Sequence, residues 1–104
     1  MDIKNNKIDL FGTTITIKIQ DIVLSEDNKE IYGLYECSSK TIKVARYING
    51  IKLKDSEIKI TILHELMHAI FSIGQYHHSS DDEPLVEWTA RCLYKLLQKK
   101  VIWG

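Results

Sequence analysis

Cysteine is nearly absent: the 104 residues hold two, Cys37 and Cys92, far apart and without CxxC spacing. A disulfide framework is thereby excluded, and a reducing, cytoplasmic compartment is the expected one. Neither cysteine has a partner at metal-ligand spacing, so both are read as buried apolar fillers. Charge of one sign is lacking too. Fourteen Lys and Arg stand against fourteen Asp and Glu, for a formal net charge of zero, so no broad field exists to hold a nucleic-acid backbone or an anionic membrane. Long apolar runs are missing. The start, MDIKNNKIDLFG, has no apolar stretch behind a basic region, and the most apolar part, around Ile60 to Ile73, is broken by two His and a Glu. Neither secretion nor membrane insertion is expected. Proline occurs once, and no repeat, linker or low-complexity tract is visible. Residues 1–104 therefore read as one domain, with room for one core and something to gain from a metal staple.

What is present changes period midway. Thr13 to Ile19 alternates strictly, with Ile15, Ile17 and Ile19 on one face, which predicts a half-buried strand. After the polar SEDNKE run, Ile31 to Cys37 and Thr41 to Ala45 read as a hairpin joined around Ser38, Ser39 and Lys40. Ile42 and Val44 then face the core, while Thr41 and Lys43 face outward on a candidate edge strand. Asn49 to Lys54 reads as a loop. From Asp55 and Ser56, both good N-cap types, the period becomes helical: Leu63, Leu66, Met67, Ile70 and Ile73 make one face, and Gly74 suits the terminating position. Gln75 to Glu83 is polar and read as irregular. Pro84 suits the first position of a second helix, with Val86, Ala90, Leu93 and Leu97 as its buried stripe. The order implies an α+β fold, with a small N-terminal antiparallel sheet of about three strands packed on two C-terminal helices.

The first helix carries His64, Glu65, Leu66, Met67 and His68, that is, HELMH, a match to the H-E-x-x-H zinc pattern. Residues i and i+4 lie one turn apart on one side of a helix, so two imidazoles converge on one ion, and the intervening Glu lies about 100° round, able to reach water without ligating. A lone His near an apolar face is usually a core or surface residue with one hydrogen bond; the five residues together point to zinc. Catalytic zinc takes three protein ligands and leaves a fourth position open, so a third ligand must come from downstream. The metzincin pattern needs a glycine at position 71 and a histidine at position 74, where the chain has Phe71 and Gly74. That leaves His77, His78, Glu83 and Glu87. Glu83 precedes Pro84, which biases it away from helical geometry and leaves it in an acidic run. Glu87 projects from a rigid element one turn inside the second helix and is the preferred ligand; otherwise it is an i,i+4 partner of Arg91.

TILHELMHAIF and the following PLVEWTARCLYKLL resemble the gluzincin-type zinc metallopeptidases, in particular the short ImmA/IrrE-like and phage-encoded minimal members, over roughly the last half of the chain. The Glu-x-x-Ala step at Glu87 to Ala90 belongs to the likeness, and the upstream hairpin resembles the group more loosely. Pro84 stands where relatives often carry another acid. The resemblance implies a minimal zincin-like fold, with zinc on His64, His68 and Glu87 and Glu65 as general base. It also implies a peptide substrate aligned by the strand Thr41 to Ala45, and a phage or prophage setting in a bacterial cytoplasm. The expected function is therefore a zinc endopeptidase acting on a protein or peptide, with Tyr76, His77 and His78 as candidates to stabilise the oxyanion. The alternatives are a zinc-binding protein-interaction module without hydrolytic activity, distinguished by a closed four-ligand site, and a hydrolase of non-peptide bonds. Trp88 either walls the cleft or packs on a neighbouring element. The apolar Val101-Ile102-Trp103-Gly104 suits docking on the domain or on a second subunit.

Overall fold

The structure, a computed structural model, describes residues 4–99. The C-terminal Val101 to Gly104 lies outside them. The chain opens with β1 (Asn6–Leu10) and β2 (Thr13–Gln20), paired antiparallel through a two-residue turn. Phe11 and Gly12 in that turn both have positive φ, 51° and 88°, as the twist of a tight hairpin requires. β1 offers only Ile8 and Leu10 as apolar residues, too few to announce a strand. Short β3 (Val23–Leu24) and β4 (Glu30–Ile31) pair with each other, and Tyr32 then breaks the expected Ile31–Cys37 strand, so that β5 covers only Gly33–Glu36.

β6 (Thr41–Ala45) pairs antiparallel with β5 and parallel with β2. The sheet therefore runs β1-β2-β6-β5. It has four strands rather than three and is mixed rather than purely antiparallel: alternation tells which face a residue takes but not the direction of the neighbouring strand. The expectation that Thr41–Ala45 is an edge is corrected. β6 lies inside the sheet, Thr41 is buried, and Lys43 is half-covered and paired with Glu36 at 2.7 Å. The Asn49–Lys54 stretch is also more ordered than a loop. β7 (Tyr47–Ile48) and β8 (Ile51–Lys52) form a hairpin through Asn49 and Gly50, at φ 49° and 79°, the Asn-Gly geometry of a primed turn.

α1 (Asp55–Ile73) lies across the sheet. Lys54 rather than Asp55 or Ser56 is its N-cap, without a side-chain cap bond, so Asp55 and Glu57 act as first-turn charges toward the helix dipole. Gly74 caps the far end in right-handed geometry, and Gln75 takes the positive φ instead. Ile15, Ile17, Ile19, Ile42 and Val44 of the sheet pack with Ile58 and Ala69 of the helix as the main core. The segment read as irregular contains one short helix, α2 (His77–Ser80), and α3 (Glu83–Gln98) follows. α3 packs on α1 rather than on the sheet. Met67, nine residues and half a turn round from Ile58, is buried with Val86 and Ala90 along the seam between these helices. The molecule is thus an α+β stack of sheet, α1 and α3. Trp88, at 68% exposure, faces away from the stack, and Cys37 is exposed rather than a buried filler, with Sγ 3.5 Å from Ser72 Oγ.

Candidate metal centre

His64 and His68 stand on the flank of α1 that faces the gap between β5 and the start of α3, and both side chains are largely buried there. Their ring centroids are 5.0 Å apart. Across from them the start of α3 is fixed by Asp82, whose side chain accepts a hydrogen bond from the Leu85 amide, and by Val86, which is fully buried. Pro84 fits this first turn because no intrahelical donor is needed there. Glu83 is consequently helical, where its place before proline suggested otherwise. Its carboxylate spans the two rings: one oxygen is 3.1 Å from His64 Nε2 and the other 2.9 Å from His68 Nε2. One ligand atom from each of His64, His68 and Glu83 lies within 4.8 Å of the others.

The remaining ring nitrogens are held from behind. His64 Nδ1 lies 3.3 Å from Glu87 Oε1, and His68 Nδ1 lies 3.3 Å from Ser80 Oγ. Fixing the far nitrogen sets ring orientation and leaves Nε2 to ligate, as in metal sites where each His has an outer hydrogen-bond partner. Glu87 also reaches Arg91 at 3.4 Å. The structure therefore brings Glu87 to the cluster but against the far side of His64, while Glu83 meets both inward nitrogens. Two imidazole nitrogens and a carboxylate form a donor set suited to zinc. Ser80 escaped sequence reasoning, because nothing in QYHHSS distinguishes the serine that will turn toward His68.

Glu65 lies on the sheet side of α1, 8% exposed. Its carboxylate makes no hydrogen bond among the described residues; the nearest ring nitrogen, His64 Nε2, is 4.0 Å away. Burial raises its pKa from 4.5 to about 7, His64 opposing the shift and the negative charge of Glu83 adding to it. What covers it is β5. A side chain at Gly33 would put its Cβ 2.8 Å from Thr61 Cγ2 and 3.6 Å from Glu65 Cγ, so only glycine lets the strand cross this closely.

β5 is one of the two edge strands of the sheet, opposite β1. The Ala45 amide donates to the Tyr32 carbonyl at 2.9 Å, and antiparallel alternation then turns Leu34 and Glu36 toward β6, and Gly33 and Tyr35 outward. Two cavities of about 550 Å³ each meet at Gly33, His64 and Glu65. One extends toward Tyr32, Glu57 and Arg91, the other past Tyr35 toward Cys37 and His77. Of the three oxyanion candidates, His77 lines the second cavity, whereas Tyr76 and His78 are exposed and line neither. Trp88 is not part of either wall. No helix among the described residues is long and apolar enough to cross a membrane. Comparison with models of protein families, with curated proteins and with solved structures finds no match.

Proposed function

We propose that this chain is a zinc metallopeptidase with a minimal zincin-like fold, in which His64, His68 and Glu83 hold the metal and Glu65 is the general base. The observation that carries the reading is the pair of Nε2 atoms meeting the two oxygens of one carboxylate beside a buried glutamate that makes no hydrogen bond among the described residues. Zinc bound there supplies Lewis acidity at neutral pH. Glu65 takes the proton of the attacking water and returns it to the departing amine. Glu87, expected from the sequence as the third ligand, acts in this reading as a positioning residue that orients His64 through Nδ1. The peptide aligns on β5, through the outward amides of Gly33 and Tyr35, instead of on Thr41–Ala45, whose two edges are both occupied. A zinc-binding interaction module would call for a fourth protein ligand beside His64, His68 and Glu83.

The test compares zinc content and peptide hydrolysis in wild type, Glu65→Gln and Glu83→Ala. Glu65→Gln is expected to keep about one zinc per chain while hydrolysis falls about 10²- to 10⁴-fold, and Glu83→Ala to lose zinc. Hydrolysis at the wild-type rate by Glu65→Gln would falsify the mechanism.

A further inference from the structure

We propose that the cavity on the Tyr32 side of Gly33 is a recognition pocket for a basic side chain, with Glu57 as its counter-charge. The inference rests on the peptidase reading for its role as a substrate subsite, but the pocket's chemistry can be tested without hydrolysis. Glu57 stands in the first turn of α1, half-buried in the cavity wall, and no Lys, Arg or His lies within 4 Å of its carboxylate among the described residues. The other acids of this wall have tasks already. Glu87 is shared between His64 Nδ1 and Arg91, and Glu65 faces the metal cluster, nine-tenths buried and without a hydrogen bond.

Arg91 does not make the pocket cationic. It is 58% exposed at the rim, and its charge is answered by Glu87 at 3.4 Å. With Arg91 answered by Glu87, Glu57 is the carboxylate of this wall that has no cationic side chain within 4 Å among the described residues, which favours a basic guest over an acidic one. The remaining walls fit the other parts of a long basic side chain. Ile31 and Ile60 can cover its aliphatic stem, and the half-exposed Tyr32 offers a ring to the cation. The position is also right for a peptide on β5, because the cavity begins at Gly33, where outward amide groups would hold the backbone.

The probe is N-acetyl-arginine methylamide, titrated into the full isotope-labelled chain with zinc present and followed through the amide signals of Tyr32, Gly33 and Thr61. Its uncharged isostere N-acetyl-citrulline methylamide and the acidic N-acetyl-glutamate methylamide are run beside it. The arginine probe is expected to shift those signals and to bind about tenfold more tightly than the citrulline probe. Glu57→Gln should reduce its affinity to the citrulline level with no change in zinc content. Arg91→Ala should leave the arginine probe bound at least as well, since it frees Glu87. Equal binding of arginine and citrulline, indifference to Glu57→Gln, preference for the glutamate probe, or shifts confined to the Cys37 side would each overturn the proposal. Absence of hydrolysis would count against the peptidase reading alone and leave the titration decisive for the pocket.

Discussion

Glu65 is the residue where fold and chemistry conflict most. It occupies the sheet-facing side of α1, where its neighbours along the helix, Ile58 and Ala69, are core residues, yet it is a carboxylate with no hydrogen bond. Burial holds its pKa at about 7, against 4.5, so between those values the native, metal-free chain binds more protons than the unfolded one. Stability contributed by this group is then full below about pH 4.5 and falls as pH rises toward 7. Glutamine in its place cannot ionise. The stability of metal-free Glu65→Gln relative to wild type should rise across this window by about 3 kcal/mol, read as a growing gap between urea midpoints at pH 5 and pH 8. A gap that stays constant with pH would mean that the buried carboxylate carries no such penalty. The same position explains why the sequence pattern alone could not rank Glu65 as buried: its i,i+4 neighbours look amphipathic, and only the passage of β5 at Gly33 closes the site.

At the scale of the element, the start of α3 decides which carboxylate meets the two histidines. Asp82 caps the helix through Leu85, which makes Glu83 its first residue and aims that carboxylate at both histidines. Asp82→Ala should cost about 1 kcal/mol of stability and weaken zinc binding, because the ligand then rides on a frayed turn. Calorimetric titration of zinc into the variant checks this, and unchanged affinity would separate the cap from the site. This turn also marks the boundary of what was legible in the sequence. HELMH and the strands Thr13–Ile19 and Thr41–Ala45 could be read from local period, because each lies within one element. The choice between Glu83 and Glu87 could not, since it depends on which turn of α3 meets α1 in space, and the usual effect of Pro84 on its predecessor pointed the other way. The position of Thr41–Ala45 inside the sheet likewise follows from its parallel pairing with β2, a long-range contact that leaves no mark on the five residues themselves.

Across the whole molecule, stability is divided between two seams of different composition. The sheet and α1 share a continuous aliphatic core, whereas α3 meets α1 along an extensive contact in which few residues are fully buried, Val86 and Ala90 on α3, and at the Glu83–histidine cluster. Metal ligated from both helices would therefore act as a clamp on the outer layer as well as a chemical centre. At free zinc about a thousandfold above its dissociation constant, binding adds about 4 kcal/mol, equivalent to a rise on the order of 20 °C in the melting midpoint of a chain this size. A chelator should reverse that rise, and the loss should be uneven. Amide exchange in α3 should accelerate well before exchange in β2 and β6, because those strands keep their core when the cluster is released. Uniform acceleration through sheet and helices would mean instead that the three layers open as one cooperative unit, with α3 no more dependent on the metal than the strands.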